Sequence, residues 1–174
     1  RAISEDLSVR VVVLAGAGPA FCAGHDLKEL KDNPDSATTQ TLFSQCSDLM
    51  MQLVRLPQPV IAKVHGVATA AGCQLVATAD LAIAGKSATF ATPGVNIGLF
   101  CTTPSVAVSR TVSRKKAMEM LLTGKPVKAT AAEAMGLINS AVPDSELDDT
   151  VDALAKLITS KSAHILSIGK KAFY

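Results

Sequence analysis

The sequence predicts an α/β fold, and three features of its 174 residues lead to this class. Short apolar runs, Val11–Leu14 and Val60–Val64 among them, are typical of buried strands. Apolar side chains recur at helical spacing between 41 and 55, as they do on one face of an amphipathic helix. Strands and helices alternate along the chain, which favours parallel strands joined by right-handed crossovers.

Glycine and proline divide the first half of the chain into elements. The first strand ends at Gly16–Pro19, and residues 20–30 are predicted to pass through a loop into a short helix. Residues 32–39 are polar and predict a mobile loop before the helix at 41–55. The prolines at 57 and 59 end that helix.

The middle of the chain is predicted to hold three strands, a tight loop and one helix. A strand at Val60–Val64 is followed by a tight loop at 66–71 and a helix at 72–79. The side chains of this helix are small, so it can pack closely on a sheet. Further strands are predicted at 81–84 and 88–91.

The final third of the chain is predicted to be mostly helical. Thr130 and Glu133 match a capping box at the start of one helix, which is predicted to end at Gly136. An apolar stripe predicts another helix from about Ser145. The remaining helices are predicted at 104–112, at 115–122, and from 162 or 164 onward.

Composition and charge exclude several classes of protein. The chain is 48% hydrophobic and 18% charged, which is typical of a globular domain. Its net charge of +2 argues neither for nor against nucleic-acid binding, which is set aside because no basic cluster is interleaved with aromatic residues. Its four cysteines form no C-x-x-C pair and no zinc-site spacing, so we expect no metal and a reducing compartment. The uncharged stretch 87–109 is interrupted by prolines and glycines, so we expect a soluble protein without a membrane span. Because position 1 is Arg, we expect a fragment or a chain that has lost a leader.

Two glycine-containing segments carry the strongest functional signal. The segments are Phe21–Leu30 and Val64–Leu75, and each follows a β-branched run. Their small residues leave backbone amides uncovered at the end of a strand. Two amides aimed at one point form an oxyanion hole, so the pair predicts stabilisation of a thioester enolate. A dinucleotide fingerprint is excluded because position 21 is Phe rather than the third glycine, and no G-x-S-x-G elbow occurs.

Three blocks of the sequence resemble the signature blocks of the enoyl-CoA hydratase/isomerase (crotonase) family. They are Phe21–Leu30, Val64–Asp80 and Phe90–Gly98, and they occur in the family's order. Within the family, they are most similar to the branch called enoyl-CoA hydratase domain-containing protein 3. The resemblance implies a ββα spiral core over residues 1–143 and the start of a helical C-terminal region over 144–174. It also implies a homotrimer or dimer of trimers in the mitochondrial matrix or the bacterial cytoplasm.

The resemblance implies an acyl-CoA ligand and assigns residues to its site. A coenzyme A thioester is the expected substrate, and no separate cofactor is expected. The family's oxyanion amides fall on His25 and on Ala71, where the family usually has glycine. An alanine can donate its N–H there if its φ is negative or mild strain is tolerated. The residues expected to line the substrate are Ala23, Asp26, Leu27, Gly72 and Asn96.

The sequence departs from the family at the catalytic carboxylates. The two glutamates that position and activate water in a hydratase fall on Gln74 and Gly94. The acidic residue of related dienoyl-CoA isomerases falls on Thr102. An amide takes no proton at neutral pH and glycine has no side chain, so neither general base is present. We therefore expect hydration to be weak or replaced by another acyl-CoA reaction.

Two functions from different classes remain open. One is an acyl-CoA enzyme, nominally an enoyl-CoA hydratase, and the other is a catalytically silent acyl-CoA binder or structural subunit of an oligomer. The side chain of His25 is expected to lie at the surface or behind the site rather than act as a base. For both Gln74 and Asn96, a contact with the ligand and a purely structural role remain open. Cys73 is expected in the core.

Overall fold

The computed structural model describes residues 2–32 and 35–174. Within these residues, short strands form two four-stranded sheets. The strands are β1 (Val12–Ala15), β2 (Ala20–Cys22), β3 (Val60–Val64), β4 (Val67–Thr69), β5 (Leu81–Gly85), β6 (Thr89–Ala91), β7 (Val127–Lys128) and β8 (Ser140–Val142). The first sheet has the order β1-β3-β5-β8, and all its pairs are parallel. The second has the order β2-β4-β6-β7, in which only β7 is antiparallel to its neighbour.

Helices connect the strand pairs. They are α1 (Ala2–Glu5), α2 (Leu27–Asp32), α3 (Ser36–Arg55), α4 (Ala71–Thr78), α5 (Thr102–Thr111), α6 (Arg114–Thr123), α7 (Ala129–Ala134), α8 (Leu147–Thr159) and α9 (Ala163–Phe173). Short 3₁₀ turns lie at Pro93–Ile97 and Asp144–Glu146. The first six strands alternate between the two sheets, and each of these three pairs is followed by a helix, which confirms the predicted spiral of ββα turns. Strand β7 lies next to β6 in the second sheet, and α7 separates it from β8 in the first.

The core lies between the two sheets and the helices that cover them. Its largest fully buried side chain is Phe90, which packs with Val64, Val76 and Val108. A smaller apolar cluster joins β3 and β5 to α8. In this way α8, at the start of the predicted helical region 144–174, packs on the first sheet. The predicted boundary of that region with residues 1–143 stays a prediction. No helix in the described ranges is long and apolar enough to span a bilayer.

Several predicted element boundaries were wrong. The predicted loop 66–71 contains β4, and β2, β7 and β8 are strands that the sequence did not predict. Strands of two or three residues are too short to show a period of two, and pairing with neighbours defines them instead. The first strand, expected to be buried, leaves Val13 40% exposed because β1 lies at the edge of its sheet.

Two helix starts also differ from the prediction. The helix expected at 41–55 begins at Ser36, because Asp35 caps it by accepting a hydrogen bond from Thr38 N at 2.8 Å. It therefore replaces part of the expected loop at 32–39, of which Asn33 and Pro34 lie outside the described residues. The capping box at Thr130 does not form, because α7 begins two residues earlier than that cap requires and Lys128 occupies its N-cap.

Candidate active site

The ends of β2 and β4 bring the two glycine-containing segments together. The strands are parallel neighbours, with Cys22 opposite Ala68. The chain beyond β2 turns at Gly24, whose φ is +90°. A Cβ on this glycine would lie 3.0 Å from the Cβ of Ala70 and 3.4 Å from the backbone nitrogen of Ala71. The amides of residues 25 and 71 therefore lie in adjoining segments, as the sequence predicts.

Gly72 lets the start of α4 approach the end of β2. A Cβ on this residue would lie 2.1 Å from the carbonyl oxygen of Cys22 and 2.8 Å from its carbonyl carbon. These are backbone atoms in a paired strand, so moving them away would disrupt the pairing of β2 with β4. Only glycine fits at this position in the present arrangement.

Backbone strain falls on Ala70 rather than on Ala71. Ala70 has φ +52° and ψ −117° and is the one non-glycine residue with positive φ among those described. Its N–H donates to Ala91 O at 2.9 Å and its carbonyl accepts from Gln74 N at 3.1 Å. This turn allows Ala71 to be the first residue of α4 without a positive φ, and the strained conformation falls on Ala70 instead.

Two backbone donors are left without intramolecular partners. Over the described ranges, the N–H groups of His25 and Ala71 make no hydrogen bond within the chain. The Ala71 N–H is one of the unsatisfied donors at the start of α4, where the helix dipole favours negative charge. An oxyanion hole requires two free amide donors in neighbouring segments, and these two amides meet that requirement.

The side chains beside the first amide have structural contacts. The ring of His25 packs edge-on against Phe43 of α3, with ring centroids 5.1 Å apart. Asp26 caps α2, because its Oδ1 accepts from the N–H of Lys28 at 2.8 Å. Leu27 is 57% exposed and Ala23 is exposed, so both can contact a ligand that lies along this edge.

Gln74 is buried one helical turn after Ala71. The residue is 7% exposed, and its Oε1 is buried without a hydrogen-bond partner in the described part of the chain. Its side chain lines a cavity of about 780 Å³ between α3, α4 and α5. An unsatisfied buried carbonyl oxygen is costly, so this amide is a candidate contact for a polar ligand group.

Gly94, which occupies the position of the second hydratase glutamate, has no room for a side chain. A Cβ on Gly94 would lie 2.8 Å from Leu99 O and 2.9 Å from Cys101 Sγ, which also accepts from Gly94 N at 3.3 Å. A carboxylate cannot be added here without moving the 3₁₀ turn that carries it. Asn96 is exposed, and its amide nitrogen lies 3.0 Å from where a Cβ on Gly124 would be.

Cys73 is buried in the core as expected. Burial, together with a smaller effect of Cys101, raises the pKa of its thiol to about 12. The thiolate is therefore absent at neutral pH, which argues against a nucleophilic role.

Sequence reasoning missed the residues at the other end of α4. Asp80 accepts hydrogen bonds from Val60 N at 2.7 Å, from Lys170 Nζ at 2.6 Å and from Tyr174 Oη at 3.0 Å. Lys170 is 90 residues away in the sequence, so no local pattern indicates the pair. Arg110, Phe173 and Tyr174 join Gln74 in lining the cavity.

Comparison with known proteins shows the family to which this chain belongs. The sequence model of the family described as enoyl-CoA hydratase/isomerase matches residues 1–174, and the chain belongs to that family. It is 48% identical over 170 residues to the mitochondrial enoyl-CoA hydratase domain-containing protein 3 of Danio rerio, covering 98% of this chain and 59% of that protein. The protein of the same name from Homo sapiens is 47% identical over 171 residues, covering 98% of this chain and 56% of that protein. These matches confirm the predicted resemblance to this branch.

Solved structures share the fold. A crystal structure of an enoyl-CoA hydratase from Mycobacterium smegmatis matches with a TM-score of 0.97 and 53% identity, over 99% of this chain and 67% of that one. The crystal structure of human enoyl-CoA hydratase domain-containing protein 3 matches with a TM-score of 0.95 and 46% identity, over 98% of this chain and 68% of that one. The chain spans a little over half the length of the curated relatives it matches.

Proposed function

We propose that the protein binds an acyl-CoA thioester, with the carbonyl oxygen between the amides of His25 and Ala71. The observation that carries this proposal is the pair of unpartnered N–H groups, which Gly24 and Gly72 allow to approach each other. The start of α4 adds the favourable end of its dipole. Negative charge that develops on the thioester oxygen when the α-carbon becomes an enolate is stabilised there.

The reaction that follows is expected to differ from ordinary water addition. Hydration across a double bond needs a group that takes a proton from water, and Gln74 cannot do so. The backbone of Leu99 and the thiol of Cys101 fill the place of a second carboxylate at Gly94. The site therefore favours an acyl-CoA reaction that relies on thioester polarisation, such as a decarboxylation or a substrate-assisted step.

A silent acyl-CoA binder is the second candidate function. The closed position at Gly94 favours it, because a single substitution there cannot restore a carboxylate. As an assembly we propose a homotrimer or a dimer of trimers, which light scattering of the full-length protein tests. As a location we propose the mitochondrial matrix or the bacterial cytoplasm, because the named relatives are mitochondrial and one similar structure is from a bacterium.

Matched ligands test the oxyanion hole. Full-length protein is titrated with a saturated acyl-CoA and with the S-alkyl-CoA thioether of the same length, which lacks the carbonyl oxygen. We expect the thioether to bind about ten-fold more weakly, since a hydrogen bond to a polar ligand group is lost. Equal affinity for the two ligands would contradict the proposal.

A backbone variant tests the Ala71 amide directly. Ala71→Pro removes this N–H at the first helical position, where proline is tolerated, and Ala71→Ser keeps the N–H as a control. Mass spectrometry then follows turnover of short, medium and branched acyl- and enoyl-CoAs. We expect Ala71→Pro to lower any turnover by about a hundred- to a thousand-fold. Robust hydration by the unchanged protein, abolished by Gln74→Ala, would show that Gln74 replaces the lost base.

A further inference from the structure

The cavity that begins at Gln74 runs along α4, away from the oxyanion hole. Cys101, which precedes α5, lies close enough to Cys73 in the first turn of α4 to affect its pKa. At the other end, Thr111 Oγ1 donates to Ala77 O at 3.2 Å. The two helices therefore run in the same direction, and Arg110 lies near the far end of the cavity. The helical rise places residue 77 about 9 Å beyond residue 71.

The walls of this cavity change character along its length. The side contributed by α3 is apolar apart from Ser47, with Met50, Met51 and Val54. The far end is polar instead. Its polar lining residues are Thr78, Asp80, Arg110, Thr111 and Tyr174, and they lie beside the apolar Ala79 and Phe173. A plain hydrocarbon tail would therefore end against groups that bind water better than they bind methylene.

The charge at the far end is positive. Asp80 is neutralised by Lys170 at 2.6 Å and has further donors in Val60 N–H and Tyr174 Oη–H. Arg110 also lines the cavity, and in the described ranges it makes no ion pair or hydrogen bond. The cavity therefore ends at a guanidinium with free donors, beside a carboxylate whose charge is already balanced.

We infer that the cavity selects an acyl group whose far end is a carboxylate, and that Arg110 is the specificity-determining residue. The ligand class is the mono-CoA thioester of a dicarboxylic acid. Arginine suits this group because its planar fork donates two parallel hydrogen bonds to a carboxylate. The inference rests on the proposed function, since the thioester end is held by the amides of His25 and Ala71.

Matched pairs of acyl-CoAs test this selectivity. Calorimetry on the full-length protein compares adipoyl-CoA with hexanoyl-CoA and suberoyl-CoA with octanoyl-CoA, because each pair differs only in the terminal carboxylate. We expect the carboxylated member of at least one pair to bind about ten-fold more tightly. Arg110→Leu should reduce that affinity ratio about ten-fold, and Arg110→Lys should restore part of it.

Arg114→Leu is the matched control, because Arg114 is also exposed but lies outside the cavity lining. It should leave the affinity ratio unchanged. An affinity ratio near one in the unchanged protein overturns the inference while the proposed function stands. Equal weakening of both members by Arg110→Leu also overturns it, because that result places Arg110 on the CoA phosphates. Failure of every thioester to bind overturns the proposed function together with the inference.

Discussion

The two ends of α4 differ in how their polar groups are satisfied. At the N-terminal end, the amide of Ala71 has no partner in the described part of the chain, Ala70 carries a positive φ, and the Oε1 of Gln74 is buried and unpartnered. At the C-terminal end, both carboxylate oxygens of Asp80 accept hydrogen bonds. Lys170 there donates to two backbone carbonyls as well as to this carboxylate.

This contrast separates binding from stability within one helix of eight residues. Unsatisfied donors and strained backbone cost folding free energy, and they persist where a ligand can use them. The buried ion pair between Lys170 and Asp80 holds α9 against β3. Its hydrogen-bonding groups already have partners within the protein, so the pair offers none to a ligand. We expect changes at the first end to alter binding of the thioester group, in some cases together with stability, and changes to the Asp80–Lys170 pair to act mainly on the free energy of unfolding.

Gly72→Ala should have the largest effect, on both properties at once. The new Cβ would meet the carbonyl oxygen of Cys22 at 2.1 Å, so α4 must move away from β2. We expect a loss of more than about 3 kcal/mol in the free energy of unfolding and at least about a hundred-fold loss of turnover. Urea denaturation and the acyl-CoA assays measure these two quantities.

Gly169→Ala is the matched control for this substitution. A Cβ on Gly169 meets no atom within 4 Å, and the residue lies inside α9. Alanine there should stabilise the protein by about 0.5–1 kcal/mol. A Gly72→Ala protein as stable and as active as its parent would mean that β2 and α4 are not packed as described.

Asp80→Asn should lower stability by about 3 kcal/mol, because it leaves the ammonium of Lys170 buried without a counter-charge. The lysine side chain is 7% exposed and the aspartate side chain 18%. Urea denaturation measures the loss. The double variant Asp80→Asn, Lys170→Met should recover part of it, since no buried charge remains unpaired. Full additivity of the two single changes would show that the pair is not coupled.

Ala70→Gly should raise stability by about 1 kcal/mol, because glycine adopts positive φ without strain. The gain corresponds to an increase in the melting temperature of about 2–4 °C. Ala153→Gly is the control, since Ala153 is exposed inside α8 and glycine there should destabilise the protein by about 1 kcal/mol. Destabilisation of similar size by both changes would argue against strain at residue 70.

Tyr174→Phe should have the smallest effect, about 0.5–1 kcal/mol at neutral pH, because a partly exposed hydrogen bond to Asp80 is lost. Burial, and then the charge of Asp80, raises the pKa of the Tyr174 hydroxyl from 10.0 to about 12. The folded protein keeps this proton longer than the unfolded chain does. Its contribution to stability is therefore complete below pH 10 and is lost as pH rises to about 12.

Denaturation of both proteins at several alkaline pH values checks this dependence. Lysine titration is common to the two proteins, so the difference between their stabilities isolates the tyrosine. That difference should shrink, and then reverse in sign or vanish, as pH rises through this range. A constant difference would mean that the Tyr174 hydroxyl does not interact with Asp80 in solution.

The sequence by itself determined the parts of this protein that depend on local pattern. The run Val60–Val64 has the bounds of β3, and the small residues at 72–78 form all but the first residue of α4. The oxyanion role of the His25 and Ala71 amides was implied by the resemblance to the family, and it stays a prediction. Local composition decides these features, since each depends on side-chain period, helix starts or glycine placement within a few residues.

Only the tertiary structure decided the features that depend on distant contacts. Strands β2 and β4 are defined by pairing with each other across more than forty residues of sequence, and Asp80 meets a lysine 90 positions away. The strain at Ala70, the closed space at Gly94 and the place of Arg110 at the cavity's end likewise depend on neighbours from other elements. Sequence spacing carries no information on such contacts, because packing between elements sets those distances.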